Sequence, residues 1–475
     1  MGDGGGRHFV DGSVSYAPGG VRSRWSEVNS YAAHSEPFIP FFLGIDLGTS
    51  SVKAALLAPD GRLGPVSSAA YALSSPQASW SEIDPRLWWD AVVHAVRRCV
   101  DGRAHRVEAV GLSGQMHGVV LTEAGGDPVR PAMLWPDARA ATQLDRYAAL
   151  DADAHRRLAN PPMPGAAGPM LAWLGEHEPP ALACARWALQ PKDWLRLRLT
   201  GRAATDPSDA SGTLLYDLVA DDWAPDIAAA LGIRPDLLAP VQPSAHWAGD
   251  LLPGAADALG LRPGTPVVTG AADTAAAALG TGLAPGDVQL TIGTGAQVVA
   301  LTDGVGAALD PRTNVFRTAT PRGRYRLAAI ANAGLALEWA VRVFGATWDE
   351  LYAAADRDGG PVFRPHLSPE RGAPGAAGSF TGLRAGHGRA DLLHAVLVGV
   401  AEAIAEAVDV LAERDGTPVR TAGGGARDPR WRRLLERVLA RPLEPVPGAG
   451  AASVRGAALL AAEGTGTAVP ATPPG

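Results

Sequence analysis

Ordered alternation of apolar and polar positions begins only near residue 38. Residues 1–37 are rich in Gly and Ser, carry scattered charges and show no period, which reads as a disordered extension or an artefact of the assumed start codon. From there FFLGID, SVKAALLA and PVSSAAYAL are short apolar runs separated by turn residues, the pattern of three successive strands. In PRLWWDAVVHAVRRCV, Leu87, Trp88, Val92, Val96 and Val100 fall near helical spacing with Pro85 at the entry, which predicts a helix. RVEAVGLSGQMHGVVLT then sets two apolar runs on either side of a Ser-Gly-Gln-Met-His-Gly interruption. Strands, helix and strand in this order describe an α/β layer.

Helical patterns dominate from about 138 to 260, broken by loops such as NPPMPGAAGP. A second α/β unit starts at GTPVVTGAADTAAAALGTGL and continues through GDVQLTIGTGAQVVALTDG, where a strand meets Gly-Thr-Gly and another strand follows. The long helical pattern ADLLHAVLVGVAEAIAEAVDVLAERDG leads to VRTAGGGARDPRWRRLLERVLA, read as a strand, a triple glycine and an amphipathic helix. GIDLGTSSVKAALLAPDG and LTIGTGAQVVALTDG share one scheme of strand, Gly-Thr turn, strand and Asp-Gly turn, which suggests two similarly folded halves. The expected division is an extension at 1–37, a first domain at 38–264, a second at 265–463 and a flexible tail at 464–475.

Composition narrows the chemistry. A formal net charge of −7 argues against a general nucleic-acid or anionic-membrane binder, because those need clustered Lys and Arg. Two cysteines, Cys99 and Cys184, offer neither a disulfide framework nor a multi-cysteine metal site and fit a cytoplasmic location. No apolar stretch reaches the length of a membrane span, and no basic region followed by an apolar core marks a signal peptide.

Three glycine-bearing turns and two aspartates stand out. Gly48, Thr49 and Ser50 offer backbone N–H groups and hydroxyls to an anion. Asp46 beside them would repel a phosphate unless a divalent cation lay between, and Mg²⁺ takes one or two carboxylates together with phosphate oxygens. The plainer alternative is an ordinary hairpin in which Asp46 accepts turn hydrogen bonds. Gly293, Thr294 and Gly295 form a turn without an acid, free to face phosphate oxygens. Gly423 to Gly425 lie between a strand and a helix, where free N–H groups favour anions, or where a tight turn simply packs. Asp273 follows an apolar strand and opens an alanine-rich helical stretch, either as an N-cap or as a base that removes a proton from an attacking hydroxyl. Gln115 and His117 offer hydrogen bonds to a polyhydroxyl ligand, and Met116 an adaptable apolar wall.

Taken in order from about Leu43 to Ala462, these segments resemble the FGGY carbohydrate kinases. GIDLGTSSVK is similar to that family's first phosphate motif and SGQMHG to its sugar-contacting segment in the members acting on D-xylulose. LWPDAR, PPMPG, QPKDWLRLRLTG, TDPSDASGTLLYD, TIGTGA, NAGLALEW and GGGARDPRW continue the likeness in family order. The resemblance implies an α/β fold of two actin-like, ribonuclease H-like ATPase domains around a central cleft, with the sugar on the N-terminal side and the nucleotide on the C-terminal side. It implies Asp273 as catalytic base and Asp46 as the aspartate of the Mg²⁺-phosphate site. Gln115, Met116, His117 and Asp137 are implied as sugar contacts, and Gly293, Thr294, Gly334, Gly424 and Gly425 as ATP contacts.

The implied reaction is ATP-dependent phosphorylation of D-xylulose. The alternatives are a family kinase for ribulose, gluconate or another polyol, and a non-catalytic binding protein on the same fold. The implied partners are a sugar and ATP, with no nucleic acid or membrane and with room for a homodimer. Two departures bear on the acceptor: Thr274 stands where the family commonly has Asn after the base, and SPERGAPGAAGSF at 368–380 is a shortened form of a family loop.

Overall fold

Two mixed β-sheets organise the chain from Ile39 onward in the computed structural model, which describes residues 1–2, 39–304, 310–368, 375–412 and 416–470. The extension expected over 1–37 therefore lies, from residue 3, outside the described residues, as does part of the 368–380 loop. The first sheet contains β1 (Phe41–Leu47), β2 (Ser51–Leu57), β3 (Ser67–Ala70), β4 (Val107–Gly114), β5 (Trp247–Asp250), β6 (Pro266–Val268) and β7 (Ala271–Ala272). Its order is β5-β6-β4-β1-β2-β3, with β7 also pairing with β4. The second contains β8 (Val288–Ile292), β9 (Ala296–Thr302), β10 (Thr313–Arg317), β11 (Arg324–Ile330), β12 (Val419–Ala422) and β13 (Leu443–Pro445), in the order β10-β11-β9-β8-β12-β13.

The sequence echo has a structural counterpart. β1 runs antiparallel to β2 and parallel to β4, and β8 runs antiparallel to β9 and parallel to β12. Each sheet thus holds a hairpin whose first strand also pairs with a parallel strand reached through a helix. Those helices are α1 (Pro85–Val100) in the first half and, in the second, the long helix at Arg389–Leu411. The remaining helices used below are α2 (Pro191–Thr200), α3 (Pro207–Ala210), α4 (Asp273–Thr281), α5 (Gly334–Val343), α6 (Arg389–Leu411), α7 (Pro429–Leu439) and α8 (Ala452–Gly464).

β1 is apolar along its length because it is covered on both faces. Leu43, Ile45 and Leu47 join Trp88, Val92 and Val96 of α1 in one core, while Phe42 points the other way, into a cluster with Ala458 and Leu459 of α8. α1 spans the residues its pattern predicts, with Asp84 as N-cap accepting from the Arg86 N–H at 3.0 Å. Leu87, counted in that apolar pattern, instead faces outward at 46% exposure.

Three expectations need correction. The boundary at 264/265 falls inside the first sheet, since β6 and β7 both pair in parallel with β4; the crossover to the second sheet comes after α4. Gly423–Gly425 do not open α7, which begins at Pro429 under an Asp428 cap whose carboxylate accepts from the Arg430 N–H at 2.9 Å. The tail placed at 464–475 is held as far as Pro470, whose carbonyl accepts from Arg455 at 2.9 Å, while Val469 packs beside Ala458 and Leu459; residues 471–475 lie outside the described residues. Among the described residues no helix is long and apolar enough to cross a membrane.

Candidate active site

Three parallel strands of the first sheet end side by side, and each delivers one candidate group from its C-terminal end. β1 ends in Asp46-Leu47, β4 runs on into Gln115-Met116-His117, and β7 runs into Asp273 at the first residue of α4. The register makes them neighbours: Asp46 lies opposite Ser113, and Ser113 lies opposite Ala271. Two interstrand spacings put the backbones carrying the two acids about 10 Å apart. Ligands in open α/β sheets bind beyond such carboxyl ends.

The acids sense each other. Burial and the charge of Asp46 push the Asp273 carboxyl up to about 7. Burial raises Asp46 as well, opposed by Lys53, its partner on β2, and by Ser113, whose Oγ donates to Asp46 Oδ1 at 3.1 Å. Asp273 is not an N-cap for the backbone beyond it; Ala272 occupies that position, and Asp273 Oδ1 accepts from the Thr274 N–H at 2.6 Å and from Thr274 Oγ1 at 3.2 Å.

A cavity of about 590 Å³ opens in front of Asp273. Met116, His117 and Trp135 line its first-sheet side; Thr291, Gly293, Thr294 and Gly295 come from the second sheet; Phe316 and Ser368 close the rim. The structure thus brings Asp273, Met116, His117 and the Gly293–Gly295 turn to one space, with Asp46 close enough to shift the base electrostatically. His117 adopts a left-handed backbone (φ 72°), and its Nδ1 lies 2.7 Å from the Gly212 carbonyl oxygen. Met116 Sδ accepts from the Tyr325 hydroxyl at 3.7 Å.

The second-sheet loops stack on one another. The Leu335 N–H at the start of α5 donates to the Thr294 carbonyl at 2.7 Å, and a Cβ on Gly334 would land on the Gly293 carbonyl. The Gly425 N–H donates to the Ile292 carbonyl at 3.2 Å, which sets the triple-glycine turn beside the tip of β8. Gly424 packs near the Arg427 guanidinium. Gly293, Thr294, Gly295, Gly334 and Gly425 therefore form one contiguous backbone surface. On the other side, the Gly48 carbonyl accepts from Tyr71 Oη and from Gln115 Nε2 (3.2 Å), and Thr49 Oγ1 accepts from Trp135 Nε1 at 3.1 Å.

Two residues expected at the sugar lie elsewhere. Gln115 is buried and ties the β4 end to the Gly48 turn. Asp137 is buried too, its carboxylate consumed by the Ser81 N–H at 2.7 Å and by Arg139 Nη2 at 2.7 Å. A carboxylate one turn from a strand end looks like a ligand contact in sequence, and an Arg two residues on makes it an internal ion pair instead. Trp135, two residues before it, does reach the cavity, as do Phe316 and Ser368. Only Trp135 had a signal, an aromatic ring in an otherwise small, polar turn.

A carboxyl with its proton affinity near neutrality, facing a cavity that ends in a glycine turn, suits removal of a proton from a hydroxyl beside an anion. The Asp46 charge that still raises Asp273, despite Lys53 and Ser113 at Asp46, is the observation that suits a divalent cation at Asp46. Among the described residues no cluster of three or more ligating side chains exists, so such an ion would take its other ligands from phosphate and water.

Comparisons with known proteins fit this geometry. The N-terminal domain of the FGGY family of carbohydrate kinases matches residues 41–280 and its C-terminal domain residues 290–464. The chain is 35% identical over 432 residues to a xylulose kinase of Escherichia coli, covering 88% of this chain and 89% of that one. It superposes on the crystal structure of a xyloylose kinase from Brucella ovis with a TM-score of 0.84 at 32% identity, over 92% of this chain and 93% of that one. A gluconate kinase from Lactobacillus acidophilus shares the fold, with a TM-score of 0.84 at 21% identity over 91% of each chain.

Proposed function

Because the chain belongs to the FGGY family of carbohydrate kinases, we propose that it transfers the γ-phosphoryl group of ATP to the terminal hydroxyl of D-xylulose. The observation that carries this reading is Asp273, half-buried at the cavity and raised to about 7, facing the Gly293–Gly295 turn from across the cleft. Phosphoryl transfer asks a protein mainly for positioning and electrostatic stabilisation. Met116, His117 and Trp135 orient the sugar, so that its reacting hydroxyl meets Asp273. Asp273 accepts the hydroxyl proton; with an affinity near neutrality it takes that proton readily and releases it afterwards. Gly293 to Gly295, Gly334 and Gly425 present backbone to the nucleotide phosphates, and Gly48 to Ser50 approach them from the first sheet. Asp46 would hold Mg²⁺, which when bound offsets charge on the transferring phosphate. Closure of the two halves excludes water and limits wasteful ATP hydrolysis. The free cysteines Cys99 and Cys184 accord with a cytoplasmic enzyme.

D-xylulose ranks ahead of other acceptors because the Escherichia coli relative described above, 35% identical over 88% of this chain, is a xylulose kinase. A coupled ADP-release assay over D-xylulose, ribulose, gluconate and glycerol tests the reading. We expect kcat/KM highest for D-xylulose and no turnover when EDTA removes the metal. Another acceptor ranking far ahead overturns the sugar assignment, and absence of turnover with all of them overturns the enzyme.

A further inference from the structure

Behind the base lies a charged cluster that the reaction does not touch. Lys192 Nζ, at the start of α2, sits 2.6 Å from Asp193 Oδ1, 2.9 Å from Asp206 Oδ1 and 3.0 Å from Asp209 Oδ2. Arg196 Nη1 lies 2.9 Å from Asp193 Oδ1, and all five side chains are fully buried. Burial raises the Asp209 carboxyl well above its usual range, opposed by Lys192 and reinforced by Asp193 and Asp206. Such a cluster is poor as a stability device, since desolvation cancels much of its attraction. Its connections point to another use.

Asp206 Oδ2 accepts from Ser208 Oγ at 2.5 Å, and Ser208 Oγ in turn accepts from the Ala272 N–H at 2.9 Å. Ala272 immediately precedes Asp273. Arg196 Nη1 also donates to the Thr269 carbonyl at 3.1 Å, and the Gly270 N–H donates to the Ser244 carbonyl at 2.9 Å. Residues 269–272, the approach to the base, are thus clamped from the cluster side at three points. The segment that carries Asp206 and Ser208 also reaches the sugar side, because Gly212, just past α3, carries the carbonyl at His117 Nδ1.

The geometry points to Ser208 as a positioning residue for phosphoryl transfer: anchored to the buried Lys192–Asp206 pair, it fixes the backbone that aims Asp273 at the acceptor hydroxyl. This rests on the reading of Asp273 as base. Misplacing a catalytic group by about 1 Å costs on the order of a hundredfold in rate, so a single anchoring bond can govern turnover without touching substrate.

A matched pair of variants tests this. Ser208→Ala removes the acceptor of the Ala272 N–H. Ser244→Ala removes a different hydrogen bond, 2.8 Å, to the same Asp206 oxygen and leaves residue 272 alone. Both variants should melt a few degrees lower. Ser208→Ala should lose roughly tenfold or more in kcat, with sugar KM little changed, and Ser208→Thr, which keeps the oxygen, should recover most of it. Ser244→Ala should keep the wild-type kcat. Equal kcat losses in the two alanine variants, or no loss in Ser208→Ala, overturn the assignment. An Asp273→Asn protein with wild-type turnover would instead remove the base itself, an outcome separate from the serine comparison.

Discussion

At the scale of single residues the two aspartates show how function is set against stability. Unfolded, the Asp273 carboxyl gives up its proton near 3.8; in the fold it keeps it to about 7. Its contribution to stability is therefore greatest below 3.8, falls as pH rises from 3.8 to 7, and is constant above that. The whole loss is on the order of 4 kcal/mol. Asp273→Asn, neutral at every pH, should melt at a higher temperature than the wild type at pH 8, with the margin shrinking toward pH 4. The same variant should lose about 10²–10⁴-fold in kcat. In the wild type kcat/KM should rise with pH and level off above about 7, as the base loses its proton. Melting curves at pH 8 and 5 and a pH–rate profile check all three; a variant less stable at pH 8 would contradict the burial of the charge. Asp46 and Asp273 were legible as candidates because a lone acid at the end of an apolar run is costly without a use. Asp137 misled for the same reason, since sequence spacing does not show that Arg139 reaches it.

At the scale of elements, local pattern located strands and helices, and close approach decided what they carry. β1, β2 and α1 were legible from apolar period and turn residues. The start of α7 was not, because Asp428-Pro429 caps the helix four residues after the triple glycine, and the glycines serve contact with Ile292 instead. Two glycines show what such contact requires. A Cβ on Gly456 of α8 would strike the carbonyl of Ala276 on α4, the helix that Asp273 opens; one on Gly334 would strike the carbonyl of Gly293. Both obstacles are backbone, so the elements must separate. Gly456→Ala should lower the melting temperature by several degrees and reduce kcat, since overpacking costs about 1–3 kcal/mol or more and here displaces α4. Gly334→Ala should leave the sugar KM nearly unchanged while raising the ATP KM by roughly tenfold, about 1.4 kcal/mol of binding. Separate titrations of sugar and ATP distinguish them, and a Gly334→Ala enzyme impaired only toward sugar would remove that turn from the nucleotide side.

Across the whole molecule the least legible feature is how the halves are held, because it depends on contacts more than 100 positions apart in sequence. β10 is an edge strand of the second sheet, and an exposed edge leaves backbone groups unpaired. Asn160, in the loop read from NPPMPG as mere connection, supplies what a neighbouring strand would: its Oδ1 accepts from the Val315 N–H at 2.8 Å, and its Nδ2 donates to the Val315 carbonyl at 2.8 Å. Ser211 Oγ accepts from the Arg317 N–H at 3.0 Å further along the same strand. Phe316, between these two points, lines the cavity and lies 5.8 Å from the His117 ring. The latch therefore sets where the second sheet meets the sugar side. Asn160→Ala would strand two buried backbone groups, each costing about 1–3 kcal/mol, and so should lower the melting temperature by several degrees. Because the displaced strand carries Phe316 and not the base, sugar KM should rise more than kcat falls. Asn160→Asp keeps the acceptor but sets a second oxygen against the Val315 carbonyl, so it should not rescue. Melting curves and sugar titrations on the two variants decide the matter; an Asn160→Ala protein with wild-type stability and sugar KM would show that Asn160 does not register the halves.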